Sequence, residues 1–134
     1  MRRWMLVVAA AVLAGCGAVT PTEQPASEVE EALVSETARL AGVLGVRVRG
    51  EITEKRYITP QGEATGWYSG GVAYYNRAMV EQGVSLEPEP YHETATNVAG
   101  HEVAHAISSG HDCLHWTTSA RLATPTYPNP CGRL

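Results

Sequence analysis

Between Val29 and Leu44 the apolar residues fall at helical spacing: Val29, Leu33, Leu40 and Leu44 make a stripe, with Ala32, Ala41 and Val43 beside it. That period predicts a helix with one buried face. Ser27 and Glu30 have capping-box spacing, and Glu28, Glu30 and Glu31 favour the positive end of the helix dipole. Gly45 is the expected stop. The pattern then alternates through Val46-Arg47-Val48-Arg49 to Gly50 and Ile52, which predicts a strand. A second extended stretch, 55–59, runs into the turn signal Pro60-Gln61-Gly62-Glu63. Residues 64–76 mix glycine with Trp67, Tyr68, Val72, Tyr74 and Tyr75. They predict one or two strands bent at Gly70-Gly71, with 77–80 continuing the strand. Residues 81–90 read as loop.

A second helix is predicted over about 91–109, stopped by Gly110. Gly100 inside it costs about 1 kcal/mol relative to Ala and points to a close neighbour. Pro125, Pro128 and Pro130 break up the tail, leaving room for a short helix near 117–122. The order implies an α+β fold, a small and mostly antiparallel sheet packed on two main helices.

The first residues change the picture of where this domain works. Arg2 and Arg3 precede an apolar run of about ten residues, too short for a stable membrane span. Leu13-Ala14-Gly15-Cys16 follows and resembles the bacterial lipobox. The resemblance implies a signal peptide over 1–15, lipid on the Cys16 thiol, and an exported, membrane-anchored protein. Residues 16–26 read as a tether, and 27–134 as one domain. Of three cysteines, Cys113 and Cys131 then remain. An oxidising compartment favours a disulfide between them; the alternative is that one or both thiols bind metal. The net charge of −4 offers no basic surface for nucleic acid.

The chemistry concentrates in His101-Glu102-Val103-Ala104-His105. On a helix, residues four apart share a face, so the two imidazoles can bind one metal ion. Glu102 lies one step around the helix, where it can move a proton to and from water at the ion. A catalytic zinc takes three protein ligands. No Glu follows Glu102 in the chain, so a downstream Glu is excluded as the third. His111, Asp112 and His115 remain, with Cys113 and Cys131 as outside candidates. In an unbroken helix His111 would point about 240° away from His105. A helix end at Gly110 would turn it back toward the metal.

His101-Glu102-x-x-His105-x-x-Ser108-x-x-His111 resembles the metzincin clan of zinc peptidases. Ser108 stands where the clan has Gly, and no Met follows the motif to make the clan's Met-turn. The resemblance covers residues 101–111 and implies a minimal zincin-like domain. It implies a zinc site of His101, His105 and His111, with Glu102 as general base and peptides or proteins as substrate. It leaves Asp112 and His115 as substitute ligands or as groups behind the ligands. It also implies a substrate bound as an added strand, for which the Gly-rich stretch 66–75 is the candidate edge, or else an ordinary core hairpin. The alternative expectation is a zinc-binding lipoprotein without catalysis, an interaction or metal-handling module, favoured by a closed four-ligand shell.

Overall fold

The computed structural model describes residues 24–124, 129 and 131. The expected signal peptide, Cys16 and most of the expected tether lie outside them. Helix α1 spans Glu28–Leu44. Ser27 Oγ accepts from the Glu30 N–H at 3.1 Å, and the Glu30 carboxylate reaches back to the Ala26 N–H at 3.0 Å. The expected cap therefore forms, with its return bond one residue further out. Leu33, Thr37, Leu40 and Ala41 make the buried face of α1.

Strand β1, Arg49–Thr53, is followed by a small ladder of β2, Ile58–Thr59, with β3, Gly62–Glu63. Strands β4, Gly66–Ser69, and β5, Val72–Asn76, form a hairpin. Its two-residue turn is Gly70-Gly71, with φ of 56° and 83°. Positive φ at both central residues matches the twist of the hairpin, and glycine adopts it without a Cβ penalty. The excursion through β2, β3 and β4 returns β5 alongside β1 in the same direction, so the order is β1-β5-β4. The α+β class is as expected. The sheets are mixed in direction, because β1 with β5 is parallel while β4 with β5 is antiparallel.

Residues 77–80 do not continue the strand. Asn76 Oδ1 accepts from the Met79 N–H at 3.0 Å and starts helix α2, Arg77–Gly83. Arg77 then ties α2 to α1, donating to Glu30 at 2.7 Å, to Glu54 at 2.7 Å and to the Gln24 carbonyl at 2.6 Å. Strand β6, Val84–Ser85, pairs in parallel with β7, Glu93–Thr94. Residues 91–94 are consequently not helical. Tyr91 has φ of 63°, and Thr94 Oγ1 caps helix α3, Ala95–Ala104, through the Asn97 N–H.

Helix α3 packs along α1, with Leu33, Leu40, Ala99 and Val103 in the shared core. The Tyr75 hydroxyl is buried in that core at 2.6 Å from Thr37 Oγ1, and Thr37 in turn donates to the Leu33 carbonyl at 2.6 Å. Helix α4 spans Cys113–Leu122, longer than the 117–122 expected, because Asp112 caps it. A Cβ on Gly100 would lie 3.0 Å from Ala123 Cβ and 3.6 Å from Leu122 Cβ. Glycine there lets the end of α4 rest directly on α3, the close approach anticipated. Cys113 and Cys131 form a disulfide, which removes both thiols as metal ligands.

Candidate metal centre

Helix α3 carries His101 and Glu102, with His105 as its C-cap, and packs against the edge strand β4. It stops at Ala104, well before the expected 109. The chain tightens through His105, Ala106 and Ile107, whose N–H groups bond to the carbonyls of Glu102, Val103 and Ala104 at 3.0–3.1 Å. Gly110 is not among the positive-φ glycines. Polar side chains build this turn instead. His105 Nδ1 lies 3.0 Å from the Ser108 carbonyl, Ser108 Oγ donates to Asp112 Oδ2 at 2.7 Å, and Asp112 Oδ1 accepts the His115 N–H at 2.9 Å. Ser108, at the position where a Gly was wanted, is a working member of the turn.

The result is a cluster of four imidazoles. His101, His105, His111 and His115 each offer a ligand atom, all within 4.8 Å of one another. They are not equivalent. The ring centroids of His101, His105 and His111 form a nearly equilateral triangle of 5.1, 5.0 and 4.9 Å, with interplanar angles of 83°, 44° and 56°. Imidazoles bound to one tetrahedral ion with metal–nitrogen distances of about 2.0–2.1 Å have centroids about 5.2 Å apart. His101 Nε2 and His111 Nε2 lie 3.1 Å apart, against about 3.3 Å for an edge of that tetrahedron. His115 lies differently, stacked on His105 with centroids 4.0 Å apart and an interplanar angle of 21°. His115 is thus set apart within the cluster, its ring stacked against His105 where the other three are spread around a triangle.

Hydrogen bonds fix which nitrogens face the cluster. His105 can only donate from Nδ1 to the Ser108 carbonyl, which leaves the Nε2 lone pair for an ion. His115 can only donate from Nε2 to the His101 carbonyl, at 2.9 Å, and its buried Nδ1 has no partner. Burial, then repulsion from His115, His105 and His111, takes His101 down to about 3. Burial is also the main cause that takes His115 to about 4 and lowers His105. These rings are therefore neutral at pH 7, the form that binds metal. The donor set and the orphaned Nδ1 fit a divalent ion with a preference for nitrogen, and the four residues can hold one.

Glu102 is 4 % exposed, its Oε2 has no partner, and its Oε1 lies 3.7 Å from His101 Nε2. Burial pushes its carboxyl up to about 8. His101, Glu102, His105 and His111 open onto a cleft of about 620 Å³ that also touches Tyr57, Trp67 and Trp116. His115 does not line it; it is fully buried behind the other rings. Trp116 Nε1 donates to the His111 carbonyl at 3.1 Å, holding that ring's backbone.

Of the sequence candidates, the structure brings together His101, Glu102, His105, His111 and His115. Asp112 stands outside the cluster, and both its oxygens serve the turn. Its carboxyl is held below the ordinary range, first by Ser108 and then by the His115 N–H. Glu93, which the sequence did not single out, lines a second cavity of about 310 Å³ with Asn97, His101 and Glu102. Its signal in the sequence is the four-residue spacing of 93, 97 and 101. The chain matches no protein-family model, and no curated protein and no solved structure shows significant similarity to it.

Proposed function

We propose that this chain is a zinc-dependent peptidase of metzincin-like geometry. The observation that carries the reading is Glu102: a buried carboxyl with a free oxygen, set beside three converging imidazoles at the floor of an open cleft. His101, His105 and His111 would hold the ion. Zinc bound there supplies Lewis acidity toward water and a carbonyl oxygen. The charge of a dication held by the three imidazoles would favour the ionised form of Glu102 against its burial, and that carboxylate would take the proton of the attacking water as the water oxygen adds to the peptide carbonyl carbon. It then delivers that proton to the nitrogen as the C–N bond breaks. Strand β4 is at the outer position of its sheet and its Gly66 lines the cleft, which supports backbone pairing with an extended peptide.

Glu102→Gln tests the reading. With zinc content unchanged, cleavage of a mixture of proteome-derived peptides, read by mass spectrometry, falls by about 100-fold or more. Cleavage equal to the parent's rules out Glu102 as the proton carrier. A non-catalytic metal-holding role is the second reading, and the unpartnered Nδ1 of His115 favours it, since a fourth imidazole would close the shell. We further propose export and lipid anchoring through Cys16, which the leader pattern and the disulfide between Cys113 and Cys131 support. Among the described residues no helix is long and apolar enough to cross a membrane.

A further inference from the structure

Trp67 of β4 lies opposite Tyr74 of β5 across the hairpin, and their rings stack with centroids 5.6 Å apart and planes 19° apart. Tyr57, just ahead of β2, stacks on Trp67 in turn, at 5.6 Å and 24°. Neighbouring strand residues point to opposite faces. Tyr75 enters the core, so this row of three rings lies on the face turned away from it. Backbone bonds hold the row in place. The Tyr57 carbonyl accepts the Ala64 N–H at 2.8 Å, and Asn76 Nδ2 donates to the Lys55 carbonyl at 2.6 Å. Arg56 clamps Glu63 across the β2–β3 ladder at 2.6 and 3.0 Å. Tyr57 ends the row and is 51 % exposed although Trp67 stacks on it. Both rings line the 620 Å³ cleft that holds His101, Glu102 and His111. No Lys or Arg is among the described residues that line this cleft.

A ring fixed at the wall of a cleft favours a second planar ring, which gains from stacking as well as from burial. A sugar also stacks on aromatic rings, but its hydroxyls need several polar partners at once. At this wall the Thr59 hydroxyl is already engaged, donating to the Gly62 carbonyl at 2.9 Å and accepting the Gln61 N–H at 3.2 Å. We propose that Tyr57 and Trp67 form a stacking subsite that selects peptides carrying a neutral aromatic side chain close to the bond to be cut. The subsite takes its purpose from the peptidase reading, but its test reads binding alone. Zinc-loaded protein is titrated by NMR with Nα-acetyl-L-phenylalaninamide, Nα-acetyl-L-leucinamide and methyl β-D-glucopyranoside. The Trp67 indole N–H signal, identified by its loss in Trp67→Phe, reports on the site.

The phenylalanine amide binds about three-fold or more tightly than the leucine amide, the ratio that stacking adds to equal apolar burial. The preference persists in Tyr57→Phe, which keeps the ring. It disappears in Tyr57→Leu, which keeps apolar bulk without a ring face and whose fold is checked by an unchanged Tm. Nuclear Overhauser contacts from the probe ring to Tyr57 in the parent supply a second measure that needs no variant. Equal binding of the two amides, a preference that survives Tyr57→Leu, or contacts to Trp116 without Tyr57 overturns the proposal. Tighter binding of the glucoside than of the phenylalanine amide overturns it as well, in favour of a glycan. A protein with the aromatic preference but no cleavage refutes only the peptidase reading, and one that cleaves without the preference refutes only the subsite.

Discussion

Asp112 is the position where a ligand role and a structural role make opposite predictions. Its Oδ1 accepts the His115 N–H at 2.9 Å, at the start of α4, and its Oδ2 accepts from Ser108 Oγ at 2.7 Å. Asp112→Ala removes an N-cap worth about 1 kcal/mol, with an upper bound of about 2. Ser108 loses its partner as well, but this site is exposed, so water replaces much of that bond. A loss of about 1–2 kcal/mol lowers the Tm of a domain this size by roughly 4–16 °C. Asp112→Asn is the control. Asn is as good an N-cap as Asp, and its amide nitrogen can donate to Ser108 Oγ. The expected order is therefore parent and Asp112→Asn close together, with Asp112→Ala below both, in Tm by calorimetry and in zinc affinity by competition with a chelator. The cap also positions His111 and His115, so the Ala variant binds zinc about ten-fold more weakly. If Asp112→Asn loses as much affinity as Asp112→Ala, the carboxylate itself is a ligand and the assignment of this residue to the turn is wrong.

Opening the disulfide has a separate cost. The bridge spans a separation of 18 residues, and replacing Cys113 and Cys131 with Ser destabilises by about 3 kcal/mol. Urea unfolding with an unchanged midpoint contradicts this. Acid stability follows Glu30. Burial alone would raise its carboxyl, but bonds from Arg77 and the Ala26 N–H more than offset this and hold it below 4.5. A depressed folded value means the stabilisation is complete above the unfolded value and is lost as pH falls from about 4.5 through the folded value. Urea midpoints in the Glu30→Gln variant should depend less steeply on pH between about 5 and 3 than the parent's, and equal slopes refute the assignment.

Short-range signals made much of this molecule legible. The spacing of His101 and His105, the cap at Ser27 and the Gly70-Gly71 turn each involve residues a few positions apart. Gly100 was legible because an interior helix glycine needs a packing reason. The end of α3 was not. Glycine is the usual stop, whereas here His105, Ser108 and Asp112 do the work through side-chain bonds that no periodicity records. The same bonds start α4 at Cys113, and that start carries His115 back to the His101 carbonyl. His115 therefore joined the cluster by a contact across the turn rather than by motif spacing. The parallel pairing of β1 with β5 is likewise non-local, with Gly50 opposite Ala73. Glu93 was missed because the helix was predicted to begin before it. In the structure it lies in β7, ahead of the Thr94 cap, and faces inward.

The most direct test is metal content and coordination on the zinc-loaded protein by X-ray absorption, for the parent and His111→Ala. One zinc per chain is expected, bound by three imidazoles, counted from the multiple scattering of their rings, and by one oxygen ligand that is not an imidazole, with binding greatly weakened in His111→Ala. A chain that binds no metal contradicts the centre itself. A shell of four imidazoles in the parent contradicts the open position that the proposed peptidase requires.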